Sequence, residues 1–85
     1  MTLTERFEDA QKRAKALTST PSTDQLLALY ALYKQGTEGD VKGKRPGMLD
    51  FKGQAKYDAW AKKKGLSQDK AMEEYVALVD GLSKR

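Results

Sequence analysis

Tyr30, Tyr33 and Lys34 stand at i, i+3 and i+4, a spacing that puts all three on one face of a helix. Two phenol rings beside an ammonium suit a ligand that carries both a flat ring and a phosphate. A ring stacks or packs edge-on, a phenol hydroxyl donates, and the lysine supplies charge. The same spacing also describes two core tyrosines with wet hydroxyl tips beside a solvated lysine, and aromatic stripes at helical spacing are usually core. Lys52 and Lys56 are four apart as well, at the start of another candidate helix. Helix N-termini favour anions, and two ammoniums strengthen that preference at a mutual repulsion of about a few tenths of a kcal/mol. Lys62, Lys63 and Lys64 close that helix, where they complement the C-terminal dipole.

Other chemistries are poorly provided for. The 85 residues include neither cysteine nor histidine. That removes disulfides, thiolate nucleophiles, the commonest general base and the commonest transition-metal ligand. No GxxxxGK[ST] or GxGxxG occurs, and no carboxylates flank an activated nucleophile. The expectation is a protein that is not an enzyme, with no metal and no cofactor. The net charge of +4 is unevenly placed: residues 41–70 carry 9 basic and 3 acidic side chains, whereas residues 1–40 carry 5 and 6. Such a concentration suits an anionic partner, or simply a solvated lysine-rich helix. The opening residues lack the apolar stretch of a signal peptide, and no apolar run is as long as a membrane span. A cytoplasmic location without integral membrane association is therefore expected.

Four stretches read as helix, and strand signals are nearly absent. Thr2 and Glu5 have capping-box spacing ahead of a helix over 4–17, with Phe7, Ala10, Ala14 and Leu17 on one face. Ser22 and Gln25 repeat the device ahead of a helix over 23–35, whose Leu26, Leu27, Leu29, Tyr30, Leu32 and Tyr33 make it apolar around much of its circumference. A helix of that kind is central or has two faces occupied. Gly36 is its expected stop. A long connection follows, with Gly39, Gly43 and Pro46-Gly47, and connections of this length are often functional. Met48 and Leu49 are expected to fold it back onto the body. The third helix spans 53–63, with Ala55, Ala59 and Trp60 facing inward. The fourth runs from Ser67, an N-cap, to Leu82, with Met72, Tyr75, Val76, Val79 and Leu82 as its buried stripe. Four short helices around one lean core is the economical all-α architecture.

The stretches Tyr30-Ala31-Leu32-Tyr33-Lys34-Gln35, Gly39-Asp40, Arg45-Pro46-Gly47-Met48-Leu49-Asp50-Phe51-Lys52-Gly53 and Ala55-Lys56-Tyr57-Asp58-Ala59-Trp60 closely resemble the signature of the acyl-CoA-binding protein family. The resemblance extends from Phe7 through Pro21 to Ala71-Met72 and Tyr75, so residues 1–85 read as a single acyl-CoA-binding domain. It implies a four-helix up-down-down-up bundle with an overhand connection after the second helix, and one long-chain fatty acyl-CoA per monomer. Position by position, it implies that Tyr30, Lys34 and Lys56 hold the 3′-phosphate and that Tyr33 packs on adenine. Lys15 and Lys52 would be further head-group contacts, and Tyr75 would line the acyl chain or thioester end. Ala31 and Leu32 lie within the contacting stretch. Three positions depart from the family pattern. Thr20 stands where lysine is frequent, and Tyr57 where tryptophan is usual. Gly36 stands where alanine is common, a change expected to fray the end of helix two by up to about 1 kcal/mol.

The resemblance implies non-covalent acyl-CoA carriage and pool formation, with no stable protein partner and no nucleic acid. The main rival is a small basic helical nucleic-acid-binding module, since basic charge with interleaved tyrosines serves that role too. Acidic residues interrupt the chain outside the one basic segment, which weighs against it.

Overall fold

The computed structural model describes residues 1–18 and 20–83. Its first two helices open on the reciprocal caps that the sequence encodes. Thr2 Oγ1 accepts from the Glu5 amide at 3.1 Å, and Glu5 Oε1 accepts from the Thr2 amide at 3.0 Å, ahead of α1, Leu3–Lys15. Ser22 and Gln25 exchange the same pair of bonds at 3.2 and 2.9 Å ahead of α2, Thr23–Glu38. Asp50 caps α3, Phe51–Ala61, by accepting from the Gly53 amide at 2.9 Å. Ser67 Oγ accepts from the Lys70 amide at 3.1 Å at the start of α4, Gln68–Ser83. Each such cap satisfies an amide that the helix itself leaves unpaired.

The helices form an all-α bundle in which α4 packs on α1 and α2, and α3 packs on α2 alone. Helix α2 therefore has two occupied faces, as its apolar circumference requires. The core cluster joins Phe7 and Ala10 of α1, Leu29 and Leu32 of α2, and Ala71, Tyr75, Val76 and Val79 of α4. No residue of α3 belongs to it. Trp60, the buried residue of α3, lies instead against Gly39, at the α2 end of the connection. On the surface Arg13 spans α1 and α4, bonded to Asp9 at 3.0 Å and to Asp80 at 2.6 Å.

Helix ends differ from the sequence expectation where tertiary contacts intervene. Helix α1 stops at Lys15, leaving Leu17 beyond it. Helix α3 both starts and ends two residues earlier than its pattern suggests. Helix α2 does not stop at Gly36 but continues two residues beyond it to Glu38, with Gly39 as its cap at φ 82°. Gly39 is in a backbone region that side chains disfavour, so it is the true stop. Gly36 is glycine for a different reason. A Cβ there would lie 3.2 Å from Met72 Cγ and 3.3 Å from Phe7 Cζ, so the missing side chain lets α2 approach α4 closely and leaves room for the tip of the Phe7 ring.

The connection between α2 and α3 is long yet closely tied down. Trp60 Nε1 donates to the Gly39 carbonyl at 2.8 Å, and Tyr57 Oη donates to the Gly43 carbonyl at 3.1 Å. Arg45 forms two bonds of 2.9 Å to the Asp58 carboxylate. Gln54 Nε2 donates to the carbonyls of Pro46 and Gly47 at 3.1 and 2.9 Å. From the start of the connection to its end, the partners on α3 run back from Trp60 at Gly39 to Gln54 at Gly47. The connection thus returns antiparallel to α3, which makes α3 run parallel to α2. The phenol of Tyr57, where the family usually has tryptophan, is one of these ties. Met48 and Leu49 do not fold onto the body: they are 83% and 94% exposed, because the ties hold the backbone of this segment and leave its tip pointing outward.

The Gly36 contacts predict that Gly36→Val destabilises the fold by about 1–3 kcal/mol through overpacking. Gly36→Ala costs less, because its better helix propensity offsets part of the crowding. Urea unfolding followed by circular dichroism measures both. Equal stability of wild type and Gly36→Val would show that the helices separate freely at this point.

Candidate functional site

Parallel packing of α2 and α3 sets a register in which residues 26 apart meet. Lys56 Nζ lies 5.4 Å from the centroid of the Tyr30 ring, and one turn further on Lys34 Nζ lies 4.9 Å from the centroid of the Trp60 ring. Two ammoniums, one from each helix, are thereby brought to the same seam beside aromatic faces. Cations over aromatic rings are held by the ring quadrupole, at about 0.5–1 kcal/mol for exposed pairs. Lys34 is also ion-paired with Glu38 on its own helix. The bond that Lys34 donates to Glu38 is the main cause that raises the Lys34 ammonium above its ordinary value, and the same bond holds Glu38 below the usual carboxylate range. Lys34 therefore stays cationic throughout the neutral range.

Tyr33 lies beside Tyr30 and Lys34 on α2, on the flank that meets Phe7. Its ring is 40% exposed and sits 6.2 Å, centroid to centroid, from Phe7. Phe7 in turn meets Tyr75 edge-on at 5.1 Å and 82°. Tyr33, Tyr75 and Lys15 line one cavity of about 280 Å³ with Ala14, Leu26 and Leu29. Burial pushes the Tyr75 phenol above its ordinary value, so it remains a neutral hydroxyl. A second, larger cleft of about 610 Å³ lies between α2 and α3, walled by Leu27, Ala28, Ala31, Ala55 and Ala59 with Lys62 and Lys63 at its rim.

Of the nine residues singled out from sequence, the structure therefore brings Tyr30 together with Lys56, and Tyr33 with Tyr75 and Lys15. Lys34 stands one turn beyond Tyr30. Ala31 faces the larger cleft. Leu32 is packed in the core with 4% exposed, so its side chain is closed to any ligand and instead fixes the depth of α2. Lys52 is exposed on the first turn of α3, one turn before Lys56. Thr20, where lysine is frequent in the family, is exposed as well.

Three residues matter to this geometry that the pattern alone did not single out. Trp60 provides the ring under Lys34 and the tie to Gly39. Glu38 competes for Lys34. Gln35 is fully buried, and its Nε2 donates to Asp40 Oδ1 at 2.8 Å and to the Leu66 carbonyl at 2.7 Å. It thereby joins the end of α2, the start of the connection and the turn before α4. The position of Gln35 on the apolar circumference of α2, beside Leu32, was the available signal.

These features define a small all-helical module with an aromatic, basic seam between two parallel helices. No helix among the described residues is long and apolar enough to cross a membrane. The chain belongs to the acyl-CoA-binding protein family: the family described as acyl CoA binding protein matches residues 4–79. It is 54% identical over 80 residues to acyl-CoA-binding protein homolog 1 of Caenorhabditis elegans, covering 94% of this chain and 93% of that one. It is 50% identical over 76 residues to the acyl-CoA-binding protein of Saccharomyces cerevisiae, covering 89% and 87%. The crystal structure of Oryza sativa acyl-CoA-binding protein 2 superposes with a TM-score of 0.94 at 41% identity, covering 98% of this chain and 92% of that one.

Asp40 completes the junction around Gln35, and its titration gives a test. Its carboxylate accepts from the Gly65 amide at 2.8 Å and from Gln35, and these bonds, the Gly65 one first, hold it below the usual aspartate range. A depressed carboxyl stabilises the fold above its unfolded value, and that contribution disappears as pH falls through the folded value. The stability lost in Asp40→Asn should accordingly be largest at neutral pH and shrink on acidification towards about pH 3. Urea unfolding across that range measures it. A difference independent of pH would remove Asp40 from the acid response.

Proposed function

We propose that this chain acts as a single domain that binds long-chain fatty acyl-CoA esters non-covalently. It would serve as a monomeric carrier and pool former in the cytoplasm and perform no chemistry on its ligand. The observation that carries this reading is the seam at which Lys56 meets Tyr30 and Lys34 follows one turn later. Two cations and a phenol hydroxyl are the groups that suit a phosphate monoester, which charge-assisted bonds hold well. In this reading Tyr30, Lys34 and Lys56 take the 3′-phosphate. Tyr33, exposed and backed by Phe7, packs on the adenine. Lys15 and Lys52 add head-group contacts, and Tyr75 lines the thioester end of the small cavity that it shares with Tyr33. Ala31 contributes to the apolar wall of the larger cleft, and Leu32 supports the site from the core. The relatives named for acyl-CoA binding support the ligand class. None of them is named for nucleic acid.

An acyl-CoA joins a polyanionic head to an apolar tail. Each buried methylene contributes about 0.8 kcal/mol, so a sixteen-carbon tail contributes on the order of 10 kcal/mol gross, less the cost of ordering it. The tail supplies most of the free energy, whereas the cations and tyrosines select the nucleotide and set its register.

Affinity should therefore rise with acyl length until the apolar surface is filled, with palmitoyl-CoA bound far more tightly than octanoyl-CoA in titration calorimetry. Equal affinities would argue that the tail is not buried by the protein. Lys56→Ala should weaken binding of the 3′-phosphorylated ester by about tenfold or more, the range of a lost charge-assisted bond. Against the dephospho-CoA ester most of that effect should vanish. An equal loss on both esters would place Lys56 away from the 3′-phosphate.

A further inference from the structure

Of the two ammoniums at the seam between α2 and α3, only Lys34 is ion-paired among the described residues, and its partner is the Glu38 carboxylate one turn further along α2. The pair does little for the helix. Glu38 is the last residue of α2, where the helix dipole disfavours a carboxylate. Lysine ahead of glutamate is also the weaker order for a pair at i, i+4. Nor does Lys34 depend on Glu38 for its place, since its Nζ lies 4.9 Å from the centroid of the Trp60 ring. The two side chains are 23% and 42% exposed, so a dissolved anion can reach the pair and exchange with the carboxylate. The Lys34 bond, and then the charges of Lys34 and of Lys42 on the connection, keep Glu38 ionised. A displaced Glu38 carboxylate thus still has the exposed Lys42 nearby.

We infer that Glu38 is a specificity-determining residue of the seam, whose carboxylate competes with the ligand's 3′-phosphate for Lys34. The chain then binds 3′-phosphorylated acyl-CoA less tightly, and prefers it less over the dephospho ester, than its cations alone would allow. The inference rests on the reading that Lys34 takes the 3′-phosphate. A phosphate monoester carries about −1.5 to −2 charge near neutral pH, against the single charge of Glu38. The phosphate therefore wins the ammonium, but it must part the pair or lie beside a like charge. An exposed ion pair is weak, about twofold to fivefold in an equilibrium constant. The competition thus lowers affinity without closing the site. A ligand without the 3′-phosphate meets no such competitor. As the phosphate leaves, the carboxylate returns to Lys34, which favours release.

Titration calorimetry with palmitoyl-CoA and its dephospho ester tests it, on wild type, Glu38→Gln, Lys34→Met and the double variant. Glu38→Gln should tighten binding of the 3′-phosphorylated ester by about twofold to fivefold and leave the dephospho ester and the helicity unchanged. The gain should shrink as salt rises, since exposed charges are screened. In the Lys34→Met background the same substitution should change little. Suppose instead that Glu38→Gln fails to tighten binding of the phosphorylated ester while Lys34→Met still weakens it. That result overturns the inference and leaves the carrier reading standing, and weaker binding by Glu38→Gln would mean that the carboxylate aims Lys34. An equal gain on both esters, or the same gain without Lys34, also overturns it by assigning Glu38 to general repulsion of the head group. If Lys34→Met alone binds both esters as wild type does, the Lys34 assignment falls and the inference with it. Failure of wild type to bind either ester removes the carrier reading and the inference together.

Discussion

The parallel register of α2 and α3 is the constraint on which the recognition surface depends. Parallel neighbouring helices cannot be joined by a short turn, so the chain must travel back the length of a helix before it can start α3. Residues 39–50 make that journey, and polar side chains of α3 secure them at Gly39, Gly43, Arg45, Pro46 and Gly47. Because α3 lies outside the central apolar cluster, these bonds and the α2 contact hold it in place. A slip of one residue in register would rotate Lys56 and Trp60 away from Tyr30 and Lys34, since successive helical residues are separated by about 100°.

The molecule separates the work of folding from the work of recognition. Helices α1, α2 and α4 enclose the central apolar cluster, whereas the excess of basic over acidic side chains falls on the connection, α3 and the turn after it. Helix α2 belongs to both halves. Its Leu29 and Leu32 look into the core, its Tyr30 and Lys34 look towards α3, and its Tyr33 looks towards the cavity shared with Tyr75. Such a helix must be apolar around much of its circumference.

Local features were the legible ones. The capping boxes at Thr2 and Ser22 involve residues three apart, so spacing alone locates those helix starts. The stop of α2 was misplaced because glycine has two uses, and only the proximity of Phe7 and Met72 distinguishes close packing at Gly36 from termination at Gly39. Met48 and Leu49 invite burial by their chemistry, but the bonds that keep them outside come from Gln54 and Asp50, whose roles depend on the path of the connection. Family resemblance supplied the grouping of Tyr30 with Lys56, which no periodicity links across 26 residues of sequence. It did not supply the ring of Trp60 beneath Lys34 or the competing carboxylate of Glu38.

The pairing of the first helix with the last has a consequence for biosynthesis. Arg13 and Asp80 are 67 residues apart in the chain and 2.6 Å apart in space, and Phe7 finds its edge-on partner in Tyr75. A ribosome releases the chain from its amino end, so α1 and α2 emerge with their apolar stripes uncovered and nothing yet to close them. The core is completed only after α4 leaves the exit tunnel, and nascent fragments must stay soluble on the strength of their charged faces alone. Joining α1 to α4 closes a long loop, and its entropic cost makes this pairing a slow, non-local step of folding.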